Sequence, residues 1–303
     1  MKKYPIKWSL VGGLVSMILV STACEKIIPI DIPDTQRKIV VNGLISPGTP
    51  VAVNLTKSLT VLEDDAFVYV ENADVKLYEN GNLAGTLMPD TAGFYSLPDF
   101  SPVPGNTYKL TVDDPGLSSV EAETKVPDVV EIASVDTTRT YNEWGMEVFK
   151  IKVVFDDPAG QDNIYGYSVT LTYKEFDYIS MQYTGKWITQ PAWIFEGDDS
   201  FVQDEVHQYG GKSYLKDQLF NGQTKTLDLR ISGFSYFQSD TVRVDVNLEQ
   251  ISPEFYTYVV SNEAYQRANR NPFSEPVQVY TNIKGGFGIF SSYSVSRRSF
   301  IVR

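Results

Sequence analysis

Lys38-Ile39-Val40-Val41-Asn42-Gly43, then Ser46-Pro47-Gly48-Thr49-Pro50, then Val51-Ala52-Val53-Asn54-Leu55-Thr56: the fold class turns on this stretch. β-Branched and polar residues alternate on both sides of a Pro/Gly loop. Side chains two apart share one face of an extended chain, so the period is that of strands and not of a helix. Downstream, Ala73-Asp74-Val75-Lys76-Leu77-Tyr78 runs into Glu79-Asn80-Gly81-Asn82. Asn-Gly there is a strong hairpin marker, because both residues accept the positive φ that tight turns need. Gly93 to Leu97, Thr107 to Val112 and Val120 to Val126 complete the series before Pro127.

Six or seven short strands without a helical stretch predict a small sandwich over residues 37–127. The order of turns and of Gly-Phe-Tyr and Tyr-Lys-Leu-Thr-Val segments looks immunoglobulin-like or transthyretin-like. The strand spacing changes past Pro127-Asp128, which places a second β-rich domain over 128–303. Its strand candidates are Val148 to Phe155, Gly166 to Tyr173, Thr226 to Ile231 and Thr241 to Leu248. In the last of these, Val242, Val244, Val246 and Leu248 alternate strictly. Glu175 to Tyr214 is aromatic and acidic, with no clean period. One helix is expected from Pro253 to about Ala268, with Ser252 as N-cap, Pro253 at the first helical position and Glu254 in the first turn. Asn271-Pro272 closes it.

Composition bounds the chemistry. The chain of 303 residues carries 26 Lys and Arg against 38 Asp and Glu, a net charge of −12. Such a surface repels phosphate backbones, so no nucleic-acid partner is expected. One His and one Cys leave no disulfide within the chain, no Cys/His zinc cage and little scope for histidine catalysis.

The N-terminus reads as an export signal. Met1 to Lys7 is cationic, Trp8 to Val20 is apolar with Gly12 and Gly13 inside it, and Ser21-Thr22-Ala23 places small residues before Cys24. This arrangement resembles a bacterial lipobox, with Ser21 where Leu or Val is usual. Residues 1–23 are accordingly expected to be a lipoprotein signal peptide and Cys24 the lipidated residue. An ordinary secretory signal with an incidental cysteine is the plainer alternative; the position of the chain's one cysteine favours lipidation. Acyl chains would hold the protein on a membrane without a spanning helix, and no later window approaches the roughly 20 apolar residues a span requires. Residues 24–36, with Pro29 and Pro33, read as a short extended tether.

Several segments carry a family resemblance. They are Cys24 to Ile28, Lys38 to Ser46, Phe155-Asp156-Asp157-Pro158, Phe195 to Asp199, Leu248 to Tyr256, Asn271 to Pro276 and Asn282 to Phe290. In this order they resemble a Bacteroidota lipoprotein family known as domain of unknown function 4249. The resemblance implies an outer-membrane lipoprotein, often encoded beside a TonB-dependent transporter and thought of as accessory to uptake. It supplies no catalytic residues. The expected location is the outer membrane, lipid-anchored, with the cell surface favoured over the periplasmic face.

Candidate chemistry is sparse. His207 lies in Asp204-Glu205-Val206-His207-Gln208-Tyr209 and has no nucleophile motif near it, so it reads as an ordinary polar residue. Asp156, Asp157 and Asp162 resemble a calcium loop in composition but lack the D-x-D-x-D-G spacing, as does Glu196-Gly197-Asp198-Asp199. The plainer reading of both is an acidic turn. Lys284-Gly285-Gly286-Phe287-Gly288 has its lysine before the glycines, which rejects a phosphate loop and suggests a glycine bend near a sheet edge. No cofactor is expected.

Aromatics carry more weight. Tyr173, Phe176, Tyr178, Tyr183, Trp187, Trp193 and Phe195 fall within 23 positions, interleaved with charge. They either fill the second core or form a recognition surface for sugar rings or a partner. Tyr183, Trp187, Trp193 and Phe195 are the expected contact residues. The expected function is a non-enzymatic accessory, for ligand capture or docking, to a TonB-dependent nutrient transporter. A stand-alone glycan- or peptide-binding lipoprotein comes second and a carboxylate-based hydrolase third.

Overall fold

The computed structural model describes residues 36–60, 67–141, 145, 147–177, 179–196, 207–209, 211–232, 241–271 and 273–302. Cys24, the expected signal peptide, Asp198 and Asp199 lie outside them. The chain divides into the units Met1–Gln36 and Arg37–Arg303, and the strands and helix all belong to the second.

The chain is mainly β, with one helix near its C-terminal end among the described residues. The first eight strands are β1 (Ile39–Ile45), β2 (Val51–Lys57), β3 (Val68–Tyr69), β4 (Asp74–Glu79), β5 (Asn82–Pro89), β6 (Phe94–Leu97), β7 (Thr107–Asp113) and β8 (Val120–Lys125). Alternation decides which side chains point inward: Ile39, Val41 and Ile45 on β1 and Val51, Val53 and Leu55 on β2 are buried. β5 pairs with β4 through Asn82–Leu87 and with β6 at Met88 and Pro89. It thereby lets one run of strands fold around a single core that includes Tyr95 and Tyr108. Both phenols are satisfied inside: Tyr95 donates to the Val70 carbonyl at 3.0 Å, and Tyr108 donates to Glu79.

The second core lies between two sheets. One has the order β13 (Ile194–Glu196), β16 (Thr224–Ser232), β10 (Glu147–Asp156), β9 (Ile132–Tyr141). The other runs β14 (His207–Tyr209), β15 (Lys212–Lys216), β11 (Ile164–Asp177), β17 (Val242–Ile251), β18 (Phe287–Val302), with β12 (Gln182–Pro191) also paired to β11. Val242, Val244, Val246 and Leu248 meet Phe149, Ile151, Val153 and Phe155 in one buried cluster. The valine ladder expected from the alternation of β17 is therefore the centre of this core.

β18 joins the two cores. Residues 287–292 pair parallel with β1, and residues 293–302 pair antiparallel with β17. Phe290 and Ile283 consequently belong to the first core, while Val302 belongs to the second. The glycines before and within β18 permit its entry: a Cβ on Gly288, whose φ is +95°, would lie 2.0 Å from the Val41 carbonyl oxygen.

Helix α1 (Pro253–Asn269) packs Phe255 and Val259 on Ile164, Tyr214 and Ile251. Ser252 has the extended backbone of an N-cap, but its side chain makes no cap bond. Its Oγ instead accepts from Ser292 N of β18 at 3.3 Å, so a tertiary donor has displaced the local one. Among the described residues no helix is long and apolar enough to cross a membrane.

A candidate interaction face on the β11–β12 hairpin

β11 is longer than the sheet that holds it. It pairs with β17 from Tyr165 to Tyr173, and with β12 from Thr170 to Asp177. Beyond Tyr173 the two strands leave the sheet as a two-stranded arm. The pairing register shifts between Lys174 and Phe176, and such an irregularity twists and re-aims a strand pair. Asp177 builds the turn, accepting from Ile179 N at 2.9 Å and Ser180 Oγ at 2.7 Å. These bonds, the Ser180 hydroxyl first, hold the Asp177 carboxyl below its ordinary pKa. Met181 then takes a φ of +54° to begin the return strand.

Directly opposed residues on antiparallel strands share a face. Phe176 faces Tyr183, Lys174 faces Trp187 and Thr172 faces Thr189. The Phe176 and Tyr183 rings meet edge-on, centroids 5.2 Å apart. The Lys174 ammonium sits 5.7 Å from the Trp187 ring centroid, a distance at which the ring's negative face attracts the cation. Trp187 is nonetheless 52% exposed, and Trp193 just beyond β12 is 78% exposed. Ile179 and Met181 at the tip are also exposed.

The same face continues inward across the sheet. Thr172 opposes Arg243 and Thr170 opposes Asp245 on β17. Arg243 Nε bonds Asp245 Oδ2 at 3.1 Å, and Arg297 Nε bonds Asn247 Oδ1 at 2.7 Å. Lys212 Nζ reaches both oxygens of Glu249, at 2.6 and 2.9 Å. The result is an aromatic arm followed by a row of polar pairs, two of them ionic, whose β17 members Asp245, Asn247 and Glu249 are buried, all on one side of the sheet. It can stack flat rings and offer hydrogen bonds beside them.

Of the expected contact residues, Tyr183, Trp187 and Trp193 stand on this arm or at its base, outside the second core. Phe195 lies in β13, on the opposite sheet, with only its backbone described. Tyr173 is part-buried against the core. The residues that sequence reasoning left out are Arg243, Asp245 and Thr189. The alternation of β17 places the first two opposite the valines, so that part was available. His207 lies in β14, with only its backbone described. Of the acidic-turn residues, Asp156 is exposed and accepts from Thr224 Oγ1, Asp162 is exposed, and Asp157 is buried. Among the described residues no three or more His, Cys, Asp or Glu side chains cluster closely enough to hold a metal between them alone.

The family model described as Domain of unknown function (DUF4249) matches residues 25–299. The chain belongs to the DUF4249 family. The match spans both cores, the hairpin and most of β18, so the aromatic face is part of what the DUF4249 match covers. No match to the chain was found among curated proteins.

Proposed function

We propose that this DUF4249 chain is a lipid-anchored outer-membrane protein without enzymatic activity, an accessory to a TonB-dependent transporter that docks on the barrel or hands it a ligand. The β11–β12 arm makes the contact. The observation that carries this reading is the exposure of Trp187 and Trp193 on and beside a hairpin that leaves its sheet. Large exposed aromatics projected from a rigid scaffold are the residues that anchor protein and sugar contacts. Cys24, set after Ser21-Thr22-Ala23, supplies the anchor, and the transporter partner follows from the family resemblance.

The test is purification of the tagged, lipidated chain from its native outer membrane in mild detergent, with mass spectrometry of what remains bound. A stoichiometric TonB-dependent barrel is expected, and it should be lost from the Trp187→Ala or Trp193→Ala variant. A clean preparation with no barrel would sink the proposal.

A stand-alone glycan-binding protein is the second reading. It is favoured by the continuation of the aromatic arm into Thr172, Thr189, Arg243 and Asp245, since sugars take both stacking and directed hydrogen bonds. Retention of glycan affinity by the purified chain without any barrel would select it.

A further inference from the structure

The sheet that closes the first core has an outer face, built from the residues that alternate with Val41, Val53 and Tyr95 of the core. At one end Val40 pairs with Phe287 on β18 and with Thr56 on β2, and Thr56 pairs with Tyr69 on β3. Next along, Asn42 pairs with Asn54 and Asn54 with Phe94 on β6. At the other end Ala52 pairs with Ser96, and Ser96 with Met88 on β5. Directly opposed residues share a face, so these rows form one surface. The Phe67 ring extends it by stacking on Tyr69, centroids 6.4 Å apart.

None of these side chains is charged, although 21% of the chain is. The large ones stand in water: Phe94 is 50% exposed, Met88 63% and Phe67 69%, and Tyr69 and Phe287 are exposed as well. The patch ends on β18 just past Phe287, since Ile289 is buried. Apolar sheet faces left open in this way mark surfaces that meet something other than water.

The chain that leads into β1 indicates what that is. Cys24 lies 12 positions before Gln36 (36 − 24 = 12). A chain spans at most about 3.3–3.6 Å per residue, so acyl groups on Cys24 lie within roughly 40 Å of Gln36. Val40, only four positions further on, already belongs to the face. A surface held this near a bilayer meets lipid at a high effective concentration, whereas a soluble partner must be recruited from solution. Electrostatics point the same way. A chain of net charge −12 is repelled by anionic headgroups, and this face presents no acid to them. At its rim the Lys38 ammonium lies 5.0 Å from the Phe287 ring centroid, a lysine and aromatic pair of the kind that suits the headgroup level. The acids Glu63, Asp64 and Asp65 precede Phe67 in sequence and lie outside the described residues.

We propose that this face, with Phe67, Tyr69, Met88, Phe94 and Phe287 as its contacts, rests on the lipid surface that holds Cys24. The inference rests on the lipid-anchor reading of Cys24. Contact is shallow, because Asn42, Asn54 and Ser96 stand between the rings and their polar groups would lose water in the hydrocarbon. Acylation then sets an orientation as well as a location: the first core is the side of the protein turned to the membrane.

The test uses the chain's one cysteine. Acylation consumes its thiol, so a cysteine introduced elsewhere takes a thiol-reactive fluorophore alone. The full lipidated chain carrying Phe94→Cys is labelled with nitrobenzoxadiazole and reconstituted in phosphatidylethanolamine and phosphatidylglycerol vesicles, with and without a shallow nitroxide lipid. Leu219→Cys, 66% exposed after β15, is the reference site, and Met88→Cys replaces Phe94→Cys should that variant not fold. The mass of the N-terminal peptide reads acylation separately. The Phe94 label is expected to shift to the blue and to be quenched about twofold or more beyond the Leu219 label, as for rings seated at the headgroup boundary. An acylated protein whose two labels are quenched alike would overturn the proposal and leave the anchor standing. A blue shift without nitroxide quenching would also overturn it, assigning the face to a second copy or another protein. A Cys24 without acyl chains would remove anchor and proposal together.

Discussion

Thr124 on β8 and Ser292 on β18 share a buried hydrogen bond of 2.9 Å across 168 positions of chain. Ser292 Oγ lies 2.8 Å from the Lys125 carbonyl, and Thr124 Oγ1 reaches Glu254 in the first turn of α1. β18 is held to the first core by this polar seam on one side and by its parallel pairing with β1 on the other. An acidic side chain at a helix N-terminus is itself favourable there, so the seam also orients α1.

Ser292→Ala should therefore destabilise the protein by about 1–3 kcal/mol, the range for leaving a buried polar partner unpaired. The urea midpoint measures it. A midpoint equal to that of the wild type would mean that the seam adds nothing to the strand pairing.

Two glycine substitutions separate backbone strain from collision. Gly48 and Gly288 both have positive φ, +79° and +95°, but a Cβ meets nothing within 4 Å at Gly48 and the Val41 carbonyl at Gly288. Gly48→Ala is expected to cost about 1–2 kcal/mol, the conformational term alone. Gly288→Ala should cost clearly more, because β18 must move away from β1. Parallel thermal melts of the two variants decide it, and equal losses would contradict the close approach.

Acid stability carries a signature of Glu121. Hydrogen bonds from Lys109 and Lys284 pull its pKa down to about 2, and the ammonium groups lie 2.5 and 2.9 Å away. A carboxylate with a depressed folded pKa binds fewer protons than in the unfolded chain, so its contribution is present above the ordinary value of about 4.3. That contribution fades as pH falls from there through about 2. Glu121→Gln should flatten this part of the stability–pH curve, being less stable than the wild type near neutral pH and converging with it in acid. Chemical denaturation at a series of pH values from 5 downward reads the slope, and an unaltered slope would remove Glu121 from the account.

Stability should distinguish the arm from the core. Trp187→Ala and Trp193→Ala lie on exposed side chains and are expected to change folding free energy by no more than about 0.5 kcal/mol. Val244→Ala, in the buried ladder of β17, should cost about 1–3 kcal/mol by lost contact and residual cavity. Tryptophan variants that lose the partner while melting like the wild type would assign their effect to recognition. A large loss of stability in either would make the arm a structural element.

The elements with a regular period could be read directly from the chain. Val242, Val244, Val246 and Leu248 alternate because one face of β17 packs into the apolar second core and the other carries polar side chains, and Pro253 with Glu254 marks the start of α1 whatever packs upon it. The hairpin escaped that reading for a physical reason. Most of the arm faces water on both sides, so no alternation is imposed on residues 174–188, and the register shift at Lys174 breaks what pattern there is. The same stretch of aromatics was compatible with core or surface until β11 was seen to outrun β17. The sequence likewise displayed Ser252 as a helix cap, whereas the side chain turns to Ser292, a donor from a strand 40 positions away.

Local chemistry thus settled the regularly alternating strands such as β1, β2 and β17, the turns at glycine and asparagine, the helix near the C-terminal end and the acidic, cysteine-poor character of the chain. These follow from interactions between residues a few positions apart. Folding in three dimensions settled that β18 serves both cores, that Trp187 and Trp193 face outward, and that Asn163 bonds both Asp217 and Gln250. Those contacts join residues 54 to 168 positions apart. No local pattern encodes them, because each arises from how buried faces and unsatisfied polar groups find one another once the sheets are packed.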